Sequence, residues 1–379
     1  MLDATTGRQA RSLNDAERRD WLRLIRTANV GPGTFFRLLD RFGTAARALD
    51  ALPDLARRGG RGAFHAASAA EADREIAEVH RLGAQLIARG EAAYPPLLAH
   101  IPDPPPLIVA KGRLDLLGKK AIGVVGARNA SANGRRFAEK LAADLGAGGL
   151  MVVSGLARGI DAAAHRGALA TGTAAVLGGG IDVVYPEENR ALYDAIADQG
   201  VLVTEVAPGT QPQARHFPRR NRIISGMARG VVVVEASPNS GSLITARMAL
   251  EQGREVFAVP GAAMDPRARG TNGLIKQGAV LTECADDVFE VLAQQSPTNA
   301  PISAPDDVRP PSELSDAEDL ERARAEVVEA LGPAPLAVDH LVRACHLSPS
   351  VVLTVLLELE LAGRLERHPG GTVSLLIDP

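Results

Sequence analysis

From Lys119 onward, short apolar runs alternate with stretches whose apolar positions recur at helical spacing. The runs Ala121–Val125, Leu150–Val153, Ala174–Leu177, Val201–Thr204, Val231–Val234 and Val256–Val259 read as buried strands. Between them, Arg135–Gly146, a segment from Asp161, Leu192–Ala197, Asn221–Met227 and Leu243–Gln252 read as helices. Strands without polar alternation, separated by helices, predict a parallel sheet covered on both faces. Upstream, Asp15 to Arg58 is helical in pattern. A Val30-Gly31-Pro32-Gly33 turn stands before Phe35, Leu38, Leu39 and Phe42 at helical spacing. Gln85–Ile87 and Leu107–Val109 are further short strands, joined through a proline-rich stretch. At the far end, helices over Asp316–Leu331, Val338–Cys345 and Ser348–Ala362 precede a hairpin, Leu365–His368 and Thr372–Leu376. That order is a winged-helix pattern.

The fold class expected is therefore α/β: an extended Rossmann-like parallel-sheet domain between two small helical modules. The boundaries are 1–65 for a SAM-like or helix-hairpin-helix-like domain and 66–293 for the Rossmann-like domain, with its core at 119–292. Residues 294–314, rich in Pro, Ser, Ala and Asp, read as a flexible linker, and 315–379 as the winged helix. No apolar run approaches the roughly 18 residues of a membrane span. The polar N-terminus lacks an apolar signal core, so a cytoplasmic location is expected. Cys284 and Cys345 form no CxxC pattern and are expected to be buried packing residues.

Formal net charge is −3, but its distribution is uneven. No acid lies between Glu205 and Glu235, while Arg215, Arg219, Arg220, Arg222 and Arg229 do. From Glu283 to Asp319 there are ten acids and a single base, Arg309. A positive pocket and a negative tail thus hide inside a near-neutral sum.

The chemistry sits in the turns after the strands. Gly126 and Arg128 follow the first core strand, at the sheet edge where helix N-termini face bound anions. The turn is not a G-x-G-x-x-G and no acid closes the next strand, which speaks against a dinucleotide. Ser154, Gly155 and Arg158 form the next turn; Asp161 after them either caps the helix or pairs with an arginine. His165, on an alanine-rich helix, reads as a packed core histidine. Gly178-Gly179-Gly180 permits close backbone approach to a ligand at Gly179, with Arg190 beyond it. Phe217, Arg219, Arg220, Asn221 and Arg222 concentrate charge and a flat face at a helix start. Arg222 is open to a second reading, burial against an acid such as Asp182. Ser240, Gly241 and Ser242 open another helix with hydroxyls and free amides. So many anion-friendly turns on one sheet edge point to an extended polyanion.

These stretches resemble the DprA/Smf family of DNA-processing proteins. The resemblance rests on Gly126-Ala127-Arg128, Ser154 to Asp161, Asp182 to Pro186, Phe217 to Gly226, Ser240 to Ala246, Val259-Pro260-Gly261, and Asn272 to Ile275 with Gly278-Ala279. It implies a homodimer that binds single-stranded DNA and helps load the RecA recombinase in natural transformation, with single-strand-binding protein as a further partner. It implies no enzymatic activity and no cofactor. Carried over, Arg128, Arg219, Arg220 and Arg222 line the DNA pocket, Phe217 lies near a base, and Leu274-Ile275 lies near the dimer contact. Where some relatives place a lysine after the Tyr-Pro pair, this chain has Glu187 and Glu188, leaving Arg190 as the substitute.

The rival reading is a nucleotide or nucleoside-phosphate hydrolase of a lysine-decarboxylase-like Rossmann type, with Glu235 and Arg247 as its catalytic pair. The winged helix raises a separate expectation. A duplex-reading helix carries Arg, Lys, Asn or Gln toward the groove. Ser348–Ala362 carries Glu358 and Glu360 and no base, so it should pack or contact protein instead.

Overall fold

The computed structural model describes residues 12–60, 65–294, 317–368 and 370–376. The expected linker at 294–314 lies, apart from its first residue, outside them. Helix α1 (Asp15–Arg26) opens on a capping box: Asn14 Oδ1 accepts from the Glu17 amide, and Glu17 accepts from the Asn14 amide. Such a box satisfies two otherwise orphaned donors. Helix α2 (Pro32–Phe42) begins at the glycine turn with proline in its first turn. Helix α3 (Ala45–Arg58) is capped by Thr44, and α4 (Ala69–Arg81) follows.

The sheet then begins with β1 (Gln85–Ala88) and β2 (Leu107–Gly112). The doubly wound part runs β3 (Ala121–Gly126), α5 (Ala132–Ala147), β4 (Met151–Ser154), α6 (Ile160–Ala168), β5 (Thr173–Val176), α7 (Arg190–Gln199) and β6 (Val201–Thr204). It continues through α8 (His216–Met227), β7 (Gly230–Val234), α9 (Gly241–Glu251), β8 (Glu255–Ala258), α10 (Arg269–Lys276), β9 (Val280–Leu281) and α11 (Ala285–Gln294). The C-terminal part holds α12 (Ala317–Ala330), β10 (Leu336–Ala337), α13 (Val338–Cys345), α14 (Pro349–Leu361), β11 (Leu365–His368) and β12 (Thr372–Leu375). Among the described residues no single helix is long and apolar enough to cross a membrane.

Strand order in the large sheet is β1-β2-β6-β5-β4-β3-β7-β8-β9. From β6 to β9 every pairing is parallel; β2 joins β6, and β1 joins β2, antiparallel. The sheet is therefore mixed, extended at one edge by two strands that the parallel pattern alone does not predict. Successive residues of a buried strand serve opposite faces. Val231 and Val233 pack beneath Ile223 and Ile224 of α8 and Ala246 and Ala249 of α9. Val232 and Val234 pack with Leu141 and Leu145 of α5, Ala163 and Ala164 of α6, and Val288 of α11. This is why the strands read as unbroken apolar runs.

The chain divides into two compact units. One holds the sheet, residues 74–299 with 1–13; the other joins 14–73 to 300–379. The two small modules, read from local pattern as separate, are thus halves of one unit. Contacts across some 300 positions of sequence leave no local periodicity to read; Arg37 on Glu360 is one such contact. Three expectations about single residues part ways with the structure or meet it. Cys284 is exposed, at the head of α11 where its amide donates to Asp287; a cysteine just before an N-terminal turn has no core to enter. Cys345 is partly buried in the winged-helix core. His165 is fully buried with Nδ1 at 2.7 Å from Thr173 Oγ1, as a core histidine.

Candidate nucleic-acid interface

The strand order reverses around β3, whose sheet neighbours are β4 and β7. A crevice outside the carboxyl ends of the strands is expected at such a switch point. Two adjoining cavities lie there. The first, about 250 Å³, is lined by Gly155, Leu177, Gly178, Gly179, Val183 and Pro186. The second, about 770 Å³, is lined by Asn221, Ser237, Ser240, Gly241, Ser242 and Thr245. Arg128, Asn129, Tyr185, Pro212, Phe217 and Arg220 line both.

The shared wall is an aromatic–cation array. The Phe217 ring has Tyr185 tilted against it at 5.7 Å, Arg128 Cζ at 5.2 Å and Arg220 Cζ at 5.9 Å. Helix α8 starts at His216, five residues earlier than the apolar pattern suggests, so Phe217, Arg219, Arg220 and Arg222 are all helical. Arg219 is exposed; Arg220, three residues after Phe217, turns inward and is 6% exposed. A Cβ on Gly155 would stand 1.5 Å from Arg220 Nη1, so the glycine makes room for the guanidinium. Burial pushes Arg220 down to about 10, opposed by the charge of Asp161, and it remains a cation at neutral pH. Asp161, equally buried, is pushed up by desolvation and held down by Arg220 and by the amides of Ala157 and Gly155. Of the two roles open to Asp161 it takes the second: it faces Arg220 and accepts from amides of the loop before α6, whose start has no side-chain cap.

Four of the helix starts at this edge differ in what they can still bind. At α5, Ser131 accepts from the Gly134 amide and Glu235 accepts from both the amide (2.8 Å) and hydroxyl (2.5 Å) of Ser131. That terminus already holds an internal anion. At α6 no side chain caps the helix, but the Asp161 carboxylate stands in the first turn and accepts from the Ala157 amide just before it. Helices α8 and α9 have no acid in the first turn; α8 has no side-chain cap, and α9 is capped by the Ser240 hydroxyl. Their positive ends face the crevice unneutralised.

The expected binding residues sort accordingly. Arg128, Gly155, Gly179, Phe217, Arg220, Asn221, Ser240, Gly241 and Ser242 are gathered around the two cavities, with Gly126 and Arg158 at their walls. Arg158 is in addition paired with Glu188 at 2.5 Å and Arg190 with Glu187 at 2.5 Å, so this rim is largely neutralised by its own acids. Ser154 is turned away: its hydroxyl donates to the Val124 carbonyl and is fully buried. Gly126 serves packing, since a Cβ there would fall 1.9 Å from the Val234 carbonyl oxygen. Arg222 takes the buried reading, with Glu205 and Asp103 as its acids rather than Asp182. Leu274 and Ile275 lie partly buried on α10, Leu274 against the sheet core. Glu235, proposed above for hydrolysis, is committed to the α5 cap, and Arg247 is exposed on α9. Sequence reasoning passed over Tyr185, Asn129 and Thr245 as site residues. Tyr185 carried a signal: it is one of three tyrosines in a chain with 3% aromatics, placed straight after a glycine loop.

A Rossmann-like sheet, a helical N-terminal module, a winged helix and an arginine–aromatic crevice at the switch point together define a DNA-processing protein of the recombination-mediator class. Residues 85–293 match the family model of DNA recombination-mediator protein A, 15–77 the DprA-like N-terminal HHH domain, and 310–371 the DprA winged helix domain; the chain belongs to the DprA/Smf family. It is 46% identical over 226 residues to DNA processing protein DprA of Bacillus subtilis, covering 59% of this chain and 76% of that one. It is 40% identical over 299 residues to protein Smf of Escherichia coli, covering 76% and 77%. Among solved structures it is similar to DprA of Streptococcus pneumoniae (TM-score 0.62, 36% identity, 74% of this chain and 98% of that one). DNA processing protein A of Helicobacter pylori, solved for its single-stranded-DNA binding mode, aligns with TM-score 0.51 and 25% identity over 55% and 95% of the two chains.

Proposed function

We propose that this protein binds single-stranded DNA in the crevice at the switch point and acts there as a non-enzymatic recombination mediator. On this reading it works in the cytoplasm as a homodimer with Leu274 and Ile275 near the contact. It protects incoming DNA and helps load the RecA recombinase in natural transformation, with single-strand-binding protein as a further partner. No cofactor is required.

The observation that carries the DNA reading is the array on Phe217. A ring offers a face to any base, and cations beside it take the phosphates. Arg128 has no carboxylate at ion-pair distance among the described residues, so a polyanion supplies the missing countercharge. The cap role of Glu235 weighs against the hydrolase reading, because the carboxylate that reading needs accepts two hydrogen bonds already.

Titration of labelled single-stranded and double-stranded DNA across salt concentrations tests the proposal. The expected result is tighter binding of the single strand with a steep salt slope. Arg128→Ala should weaken it about tenfold and flatten the slope by about one. Arg220→Ala should do more, since it also strands Asp161. Unchanged affinity in both variants sinks the proposal.

A further inference from the structure

Helix α14 carries apolar residues around most of its circumference, and a helix of that kind is largely buried. Val352, Val355, Leu356 and Leu359 enter the winged-helix core with Val327, Leu341 and Val373. Leu357 and Leu361 enter the core of α1 to α3 with Phe35, Leu38 and Leu52. The approach is close: a Cβ on Gly59 would lie 2.1 Å from the Glu358 carbonyl oxygen. Charge closes the contact. Glu360 accepts from Thr34 Oγ1 at 2.5 Å, Arg37 Nη2 at 2.7 Å and Arg367 Nε at 2.9 Å. Glu358, fully buried, accepts from Arg324 at 2.9 and 3.0 Å, with Arg58 at 4.0 Å from an oxygen that has no hydrogen-bond partner. Four arginines thus converge on two carboxylates. Thr34 lies in the first turn of α2, directly after the glycine turn, where no acid and no side-chain cap are present. Glu360 thus reaches the first turn of α2 through the Thr34 hydroxyl and the Arg37 guanidinium, donors of the kind that also hold a phosphate oxygen.

We infer that this contact is autoinhibitory: Glu358 and Glu360 stand in for DNA phosphates and close the N-terminal hairpin and the third winged-helix helix against each other. The unit of 14–73 and 300–379 therefore binds the backbone of duplex DNA only when the contact is opened. Arg324 and Arg367 share a half with the two carboxylates, so opening the contact frees Arg37 and Arg58 of the N-terminal half for the duplex backbone.

The test uses the full chain carrying Arg128→Ala to weaken the crevice, a labelled duplex as probe, and hydrogen exchange along α14 to report opening. Glu358→Gln with Glu360→Gln removes both surrogate charges. The expected result is faster exchange in α14 and about a tenfold gain in duplex affinity, with a salt slope steeper by about two. Gly59→Leu opens the same contact by bulk, leaves the carboxylates in place, and should speed exchange with a smaller gain. Faster exchange with no gain in duplex binding overturns the inference. So does unchanged exchange in the glutamine variant, since the carboxylates are then no lock. Collapse of both variants to unfolded chain overturns it too, because the contact is then a core.

Discussion

The arginines of the sheet edge and those of the terminal unit are alike in kind and opposite in situation. Around α14, Arg37 and Arg367 share Glu360, and Arg324 and Arg58 share Glu358. At the crevice, Arg128 has no acid at ion-pair distance among the described residues, and Arg220 faces the buried Asp161; Arg219 is exposed and lines neither cavity. The difference lies in what the fold brings to them, not in the residues. An arginine cluster becomes a ligand site when the structure withholds its countercharge. It becomes architecture when a distant segment supplies it. Arg222 makes the point within one helix: two residues after Arg220, it points to Asp103 and Glu205 and is spent on structure.

Acid provides the largest separation of the two units. His165, buried in the sheet unit, has its pKa pushed down to about 3 by desolvation, with Arg220 and Arg166 adding to the depression. The folded state keeps the ring neutral while the unfolded chain protonates near its ordinary value of 6.5. Stability is therefore present above that pH and lost as pH falls through 6.5 toward 3, by roughly 4 to 5 kcal/mol when complete. Trp21, the one tryptophan of the chain, sits edge-on to Phe35 in the terminal unit and reports on that unit alone. Urea unfolding by circular dichroism should show a sheet-unit transition that moves to lower denaturant from pH 7 to pH 4. The Trp21 signal serves as the internal comparison. His165→Gln should remove most of that movement; a variant that tracks the parent at every pH would show that His165 is not the cause.

How much of this could be read in advance follows the range of the forces involved. The sheet strands were legible because a strand buried on both faces is a local apolar run. The crevice was legible because its parts lie in turns directly after those strands. Phe217 and Arg220, expected by type and position, line both cavities. What escaped depends on partners far away in sequence. Ser154 looks like a phosphate ligand until the Val124 carbonyl takes its hydroxyl. The α5 start looks open until Glu235, more than a hundred residues on, fills it. The terminal unit escaped whole: Glu358 and Glu360 led to the expectation that α14 packs or contacts protein, but not that Arg37 and Arg58 stand opposite them.

A middle-sized effect sharpens what the crevice offers besides charge. Phe217→Ala should cost about 1 to 3 kcal/mol of single-strand affinity, roughly 5- to 150-fold, if a base stacks on the ring. The salt slope should stay as in the parent, because no phosphate contact is lost. Phe217→Tyr keeps a stacking face and should recover most of the affinity. A Phe217→Ala loss accompanied by a flattened slope would mean that the ring only props Arg128 and Arg220 in place.

The smallest effect is the one most able to break the comparison. Arg158 and Arg190 lie on the same rim as Arg128 but hold Glu188 and Glu187. Exposed pairs of this kind are worth about 0 to 1 kcal/mol and leave little net charge for a phosphate. Arg158→Ala and Arg190→Ala should each change single-strand affinity by less than about twofold, and Glu187→Gln with Glu188→Gln should tighten it by about that much as the two arginines come free. The measurement is the same salt-dependent titration. If Arg158→Ala weakens binding as much as Arg128→Ala, then pairing with a neighbouring acid does not decide which arginines meet DNA. The distinction between a withheld and a supplied countercharge would then fail at the place where it is easiest to measure.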